Sequence, residues 1–435
     1  MKDVFYAGIL LVSLIVSVQS VWTLYLTLYT WDRPPDEASA PEYFREPRLS
    51  FTALLPARHE EGVIRGTIAR LARVNYPADL VQVFVICSAD DRGTIDEAEA
   101  EIDLLRQQGR TNFETVVFSD GPVNKPHGLN VALARATNDV IVIFDAEDDM
   151  HPDIFDIVNT VMEEEQVKVV QAGVQLMNFE STWYSALNVL EYFFWFKSRM
   201  HYHSRAGAML LGGNTVFFDR ELIAGLGGWD EKILTEDAEI GLMLSAAGER
   251  IRVVYDHRYV TKEETPPTLK QFIKQRTRWS QGFIQCLHKG TWRKLKTAKQ
   301  RRIAFVTLAF PQGQAVLGIY FAFSLFTMVD LKTPVLVALL SYIPVLIVLA
   351  HFLTTAIGLY EFARAHDLKA TPTAVVGLAI AWFPYQLVLA YSCIRAVSRQ
   401  VRGQLDWEKT HHVGAHRDKA ADGALGLDEV SQNVA

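Results

Sequence analysis

Residues 140–153 read VIVIFDAEDDMHPD, and the break in the middle decides the fold. An unbroken apolar run ends abruptly in Asp145, Glu147, Asp148 and Asp149. Such a run reads as a buried, parallel strand whose carboxyl end opens on a site. In open α/β sheets ligands sit at that end. Asp145 and Glu147, one residue apart, can converge on a single hard divalent cation. Mg²⁺ or Mn²⁺ prefers such oxygen ligands and commonly carries substrate phosphates. The competing reading is an acidic cap for the helix that begins near Pro152, where Asp is favoured anyway. The choice between the two rests on the rest of the chain.

Upstream, strands and helices alternate. Residues 49–55 form a strand that feeds Pro56-Ala57-Arg58-His59-Glu60-Glu61 and a helix through Ala72. A strand over 81–86 ends at Ser88-Ala89-Asp90-Asp91, a helix covers 94–108, and a third strand covers 113–118. Lys125-Pro126-His127-Gly128-Leu129-Asn130 opens the helix before the 140–144 strand. This alternation implies a parallel sheet. Neither a GxGxxG nor a GxxxxGK[ST] loop is present, so an ordinary dinucleotide or P-loop domain is excluded.

Downstream, 167–177 reads as one strand, and 179–206 is strongly aromatic and interspersed with Lys197, Arg199 and Arg205. That stretch is either a core helix or a helix along an acceptor groove or membrane surface. Leu234-Thr235-Glu236-Asp237 opens an amphipathic helix, with Thr235 in the position of a cap. Glu263-Glu264-Thr265-Pro266-Pro267 is a stiffened loop. Gln275, Arg278 and Trp279, spaced i, i+3, i+4, share one helix face.

The chain has 435 residues and a net charge of −7, which excludes nucleic acid as its main partner. Cys87, Cys286 and Cys393 are far apart and form neither a disulfide framework nor a metal motif. Residues 4–29 carry no charge and are long enough to span a bilayer. Apolar stretches recur at 303–329, 334–360 and 371–397, the first interrupted by Pro311, Gln312, Gly313 and Gln314. The expected organisation is an anchor over 1–30, a proline-rich linker over 31–48, a catalytic domain over 49–302, transmembrane or interfacial helices over 303–397, and a basic tail over 398–435 with a disordered end. The basic run from Arg293 to Arg302 abuts a membrane segment, so the positive-inside rule puts the domain in the cytoplasm beneath the plasma membrane. A basic tail on that same side requires 303–329 to re-enter or lie in the interface.

Four motifs thus follow in order: acids after the second strand, acids after the fourth, Thr-Glu-Asp, and Gln-x-x-Arg-Trp. Membrane segments flank them. The set resembles the membrane-bound, inverting family 2 β-glycosyltransferases of GT-A fold, which include the cellulose, hyaluronan and poly-N-acetylglucosamine synthases. The resemblance covers about 49–302. It implies a mixed, mainly parallel α/β sheet, a nucleotide diphosphate sugar donor (a UDP-sugar), Mg²⁺ or Mn²⁺, and a growing polysaccharide or lipid-linked acceptor at membrane lipid. Accessory secretion subunits are implied too. Residue by residue, Pro56, Arg58, Glu60, either Asp90 or Asp91, Lys125, Asn130, Asp145 and Arg278 fall at donor-binding positions. Asp145 and Glu147 stand at the metal motif, Asp237 at the general base, and Glu236, Gln275 and Trp279 at acceptor positions. Glu147 replaces the usual second Asp, keeping the charge on a longer arm.

Overall fold

The computed structural model describes residues 2–316, 319, 335, 343–409, 414, 416 and 417. Helix α1 (Lys2–Thr27) and the short α2 (Pro34–Glu37) lead into the sheet domain. There, β1 (Phe51–Pro56), α3 (Ile64–Leu71), β2 (Val81–Ser88), α4 (Arg92–Gln107), β3 (Phe113–Phe118), α5 (Lys125–Leu133), β4 (Val140–Ile143) and α6 (Ile154–Glu165) alternate as the hydrophobic pattern predicts. Strand β1 lies parallel to both β2 and β4, and β2 parallel to β3. Alternate residues of each strand serve opposite faces. Leu54, Ile141 and Ile143 enter one core, while Phe51, Ala53, Leu55, Val140 and Val142 enter the other. Burial on both faces is why these strands read as unbroken apolar runs.

The 167–177 stretch is not one strand. It divides at Gly173 into β5 (Val169–Ala172) and β6 (Val174–Leu176). A Cβ at Gly173 would stand 3.0 Å from the Tyr255 ring and 3.1 Å from Val260, a tight fit that glycine relieves where the chain passes from one sheet to the other. Helices α7 (Ser185–Phe194) and α8 (Met200–Ala206) follow, joined by a π-helical turn over Trp195–Arg199. Then come β7 (Val216–Asp219), α9 (Arg220–Gly225), α10 (Glu236–Ala247), β8 (Ile251–Val254), β9 (Thr261–Glu263), α11 (Leu269–Lys289) and α12 (Ala298–Leu308). The large sheet has the order β3-β2-β1-β4-β7-β5-β8, and β6 pairs with β9 in a small one. Strand β7 runs antiparallel between β4 and β5. The carboxyl end of β4 therefore meets the amino end of β7, with Ile143 opposite Val216. Asp145 and the 212–214 segment are brought together by that reversal of direction.

The proline-rich segment is no free tether. Ser39 and Tyr255 exchange hydrogen bonds of 2.8 Å, and the amides of Arg48 and Leu49 donate to Asn159 at 3.1 Å. Two apolar helices complete the described chain, α13 (Ile343–Ala365) and α14 (Pro372–Val401). Among the described residues three helical segments, Tyr6–Thr27, Leu346–Ala365 and Pro372–Val401, are long and apolar enough to cross a membrane. Helix α13 runs beside α1, with His351 Nε2 2.9 Å from the Ser20 carbonyl. Helix α14 instead packs on α11, where Tyr385 stacks at 5.6 Å from Phe272 and Arg399 donates to Gln281. Its other face exposes Val376, Ile380, Leu387, Tyr391 and Ile394. Most of the 303–329 segment beyond α12 and the tail end from Ala420 lie outside the described residues.

Candidate active site

A cavity of about 430 Å³ opens at the carboxyl ends of β1, β2 and β4 and extends to α1, α12 and α14. At its sheet end Lys125, from the first turn of α5, sets Nζ 2.5 Å from Asp145 Oδ1 and donates to the Gly213 carbonyl at 2.9 Å. Burial alone would lower the ammonium's pKa. The charges of Asp145, Glu236 and Asp237 outweigh that and hold it above the usual lysine value. A Cβ on Gly213 would begin 3.2 Å from Asp237 Oδ2 and 3.7 Å from Lys125 Nζ. Glycine there allows the backbone to pass between the two, so Asp145 and Asp237 flank one ammonium although 92 positions separate them.

Behind Asp145 the acids form a buried layer. The Asp145 amide donates to Asp148 Oδ2 at 2.9 Å, and Asn214 Nδ2 donates to both Asp148 oxygens at 2.9 Å and also to Glu263. Burial, then the charge of Asp145, pushes Glu147 up to about 8. Glu263 also rises to about 8, through burial and then Glu147. Asp148 stands well above its ordinary range through burial and Glu263. Glu263 and Asn214 were not among the site residues read from the sequence. The acid pair Glu263-Glu264 beside two prolines was the available signal, but it looked like a loop.

At the start of α10, burial and then Asp237 push Glu236 to about 7. Burial likewise raises Asp237, whose Oδ1 accepts from the Ala238 amide at 2.8 Å. Thr235 occupies the N-cap position of α10, as expected, but its side chain does not cap. Its hydroxyl makes no capping hydrogen bond and sits 3.7 Å from Cys286 Sγ. From α11, Gln275, Arg278 and Trp279 all reach the cavity. Gln275 Oε1 and Arg278 Nε are buried with no hydrogen-bond partner among the described residues. The Arg278 guanidinium lies 5.3 Å from the Trp407 ring. Arg276, one residue away, is spent structurally on Glu191 and Asn188, and its guanidinium lies 4.7 Å from the Trp279 ring.

Three other expectations change. Asn130 does not line the cavity. Its amide donates to the Trp229 carbonyl and to Glu231 at 2.9 Å and accepts from the Trp229 amide at 2.9 Å, which fixes the glycine turn at 227–228. Asp91 is buried as the cap of α4 and accepts from the His59 amide at 2.5 Å. Asp90 lies exposed, 3.9 Å from Arg58. Neither faces the cavity, whereas Pro56, Arg58, Glu60 and Ser88 do. The aromatic stretch serves both readings at once. Tyr184, Phe193 and Met200 fill the core, while Tyr192, Trp195 and Phe196 line the cavity.

The segment after α14 folds back over the sheet end of the cavity. Lys409 Nζ lies 3.0 Å from Glu60 Oε1 and donates to the His59 carbonyl at 2.5 Å. Arg395 pairs with both Glu408 oxygens at 2.5 and 2.6 Å, and Arg417 donates to Val63 O at 2.8 Å. Among the described residues one group of three, His59, Glu61 and Asp91, brings ligand atoms within 4.8 Å of one another, at the outer lip.

Residues 47–282 match the family described as glycosyltransferase like family 2. The chain is 29% identical over 246 residues to a probable glycosyltransferase, YdaM, of Bacillus subtilis, covering 54% of this chain and 55% of the relative. It is 24% identical to the beta-monoglucosyldiacylglycerol synthase of Synechocystis, covering 62% and 60%. With the poly-beta-1,6-N-acetyl-D-glucosamine synthase of Staphylococcus epidermidis it shares 23% identity, covering 81% and 85%. The chain thus spans less than two thirds of the first two relatives' length. A solved mannosyltransferase from Pyrobaculum calidifontis, in complex with GDP-Man and Mn²⁺, superposes with a TM-score of 0.54 at 18% identity, covering 90% of this chain and 99% of that one. That superposition establishes a GT-A-like fold.

Proposed function

For a chain that belongs to glycosyltransferase family 2, and is therefore a sugar transferase of GT-A fold, we propose inverting transfer from a UDP-sugar to an acceptor hydroxyl at the membrane, extending a β-linked polysaccharide. The observation that carries this reading is the gathering of Asp145, Lys125 and Asp237 around Gly213, in one cavity with Arg278 and Trp279. Asp237 is the general base. Burial lifts its pKa above the usual aspartate value, so it accepts the acceptor's proton more readily than a solvated carboxylate. As the hydroxyl oxygen attacks the anomeric carbon from the side opposite the diphosphate, the C–O bond to that leaving group breaks and the configuration inverts. Arg278, a planar fork with no ion pair to a carboxylate among the described residues, binds the pyrophosphate, aided by Lys125. Trp279 and Tyr192, with ring centroids 6.1 Å apart, supply apolar faces for the acceptor sugar.

The donor set suits a hard divalent cation. Asp145, Glu147 and Glu263 offer only oxygens; burial, and after it their mutual charge, pushes Glu147 and Glu263 up to about 8, and a dication would relieve both. Asp145 and Glu147 would hold Mg²⁺ or Mn²⁺, which when bound neutralises charge developing on the diphosphate. Purified protein supplied with a panel of nucleotide sugars tests the reading. A β-glycoside from one UDP-sugar is expected, and no transfer or hydrolysis of any donor refutes it.

The reading places the domain on the cytoplasmic face of the plasma membrane, and the folded-back tail supports it. Lys409 and Arg417 contact the domain, so both ends of the 303–409 region share one side. Helix α14 has one face against α11 and an exposed apolar face, the arrangement of a helix lying in the interface. The interfacial part then moves from 303–329, where the breaking residues suggested it, to 371–397. Cysteine labelling at Ile380 in sealed vesicles, blocked by bilayer-embedded quencher at shallow depth only, tests this.

A second reading, single transfer to a lipid hydroxyl, is favoured by the apolar lining at the membrane end of the cavity, Leu26, Val306, Phe310 and Leu389. Product chain length separates the two.

A further inference from the structure

We infer that the membrane end of the cavity is a binding site for an anionic, phosphate-bearing lipid, with the phosphate on Arg199 and the chains along Leu26, Val306, Phe310 and Leu389. The inference stands on charge and burial at that end and does not require the transfer reaction.

Arg199 closes the π-helical turn between α7 and α8 and lines the cavity. It makes no ion pair among the described residues. One Nη donates to Thr27 Oγ1 at 3.0 Å, and Nε is buried with no partner. Thr27 ends the first apolar span, so the guanidinium sits at the depth where that span meets the domain. One turn on, His203 is 1% exposed, lines the same cavity, and leaves Nδ1 without a partner. Burial, reinforced by the nearby Arg199 charge, lowers His203 to about 4, so it is neutral near pH 7 and Arg199 carries the charge there.

Glu191, whose charge reaches Arg199, lines the same cavity but makes its direct ion pair with Arg276. A buried guanidinium that shares its nearby acid with a second guanidinium is costly unless a further anion completes it. A plain helix-capping role accounts for Arg199 poorly, because it donates to the Thr27 hydroxyl and not to a terminal carbonyl of α1. The π turn adds to the case, since such turns occur often at functional sites. An aromatic lane leads here from the sugar end. Trp279 lies 6.1 Å from Tyr192, Tyr192 lies 6.0 Å from Phe196, and Trp195 lies 5.8 Å from His203. The sides are apolar, which suits hydrocarbon better than a second sugar. A guanidinium at interfacial depth beside apolar walls matches a phosphate head group followed by chains.

The test uses the full chain in maltoside micelles, with phosphatidylglycerol, diacylglycerol and inorganic phosphate as probes, read by native mass spectrometry. Wild type should retain phosphatidylglycerol at least about tenfold more tightly than diacylglycerol. Arg199→Gln should lose about ten- to a hundredfold in phosphatidylglycerol affinity and none for diacylglycerol, while Arg199→Lys keeps most of it. Melting temperature reports whether the variants are folded. The wild-type comparison decides the matter even if a variant is not. Equal retention of the two lipids by wild type, or undiminished binding by folded Arg199→Gln, overturns the inference. So does displacement of phosphatidylglycerol by inorganic phosphate at equal concentration, which marks a free-anion site. UDP-sugar hydrolysis, measured separately, shows whether the transfer reading stands regardless of these outcomes.

Discussion

The two ends of the cavity are built on opposite principles. At the sheet end Asp145, Glu236 and Asp237 surround Lys125, with Glu147 and Glu263 buried nearby, and burial with mutual repulsion lifts several of these acids toward neutrality. At the membrane end one guanidinium and one neutral imidazole stand among apolar and aromatic side chains. The sheet end is poised to exchange protons and to gather cations. The membrane end is poised to receive an anion or an apolar chain. Arg278, whose Nε has no hydrogen-bond partner among the described residues, lines the same cavity from α11.

The sharpest way to break this contrast is at the base. Asp237→Asn should lower transfer by about 10²–10⁴ while UDP retention persists, measured by product formation and by equilibrium binding. Turnover equal to wild type would remove Asp237 from its role. Next, Arg278→Gln should raise the donor KM by about ten- to a hundredfold and leave the acceptor KM nearly unchanged. A change confined to the acceptor would move Arg278 into the membrane end.

A stability effect comes third. Glu236 holds its proton to about 7 in the folded chain and to 4.5 when exposed. Between those values the native state binds more protons than the unfolded one, so stability falls as pH rises through the window. Glu236→Gln abolishes that contribution. Its melting temperature should therefore decline less than wild type's between pH 5 and pH 8, by about 1–3 kcal/mol of stability. Parallel declines would mean that Glu236 is not the group responsible. The smallest effect is expected at the strap. Lys409→Ala removes a partly exposed pair with Glu60, worth under about 1 kcal/mol, and should change the UDP dissociation rate by less than about fivefold in stopped flow. A much larger change would make the strap part of the donor site itself.

Legibility followed the same division. The parallel half of the sheet was readable because strands buried on both faces must be apolar throughout, and because their carboxyl ends must stop at polar residues to make a crevice. Asp145, Lys125 and Asp237 carried motifs tied to those ends. Asn130 misled because its motif fits equally well an amide that ties down a glycine turn, and only the partner Trp229 reveals which. Asp91 misled in the same way, as a helix cap. Thr235 sat where caps sit, yet its hydroxyl turned toward Cys286. The single strand over 167–177 hid a passage between sheets at Gly173, packed tightly against Tyr255, a residue 82 positions beyond it.

The chain's own order of residues determined the alternation of strands and helices, the acids at the strand ends, and the apolar helices, because each depends on spacing and polarity within a few turns of backbone. Tertiary structure alone decided that β7 inserts antiparallel beside β4 and so carries Gly213 between Lys125 and Asp237. It also decided that Glu263 joins the acid layer, that α14 lies against α11, and that Arg199 ends beside α1 with its Nε unpartnered among the described residues. Those facts turn on which distant groups come to share one low-dielectric space, and local pattern holds no record of that.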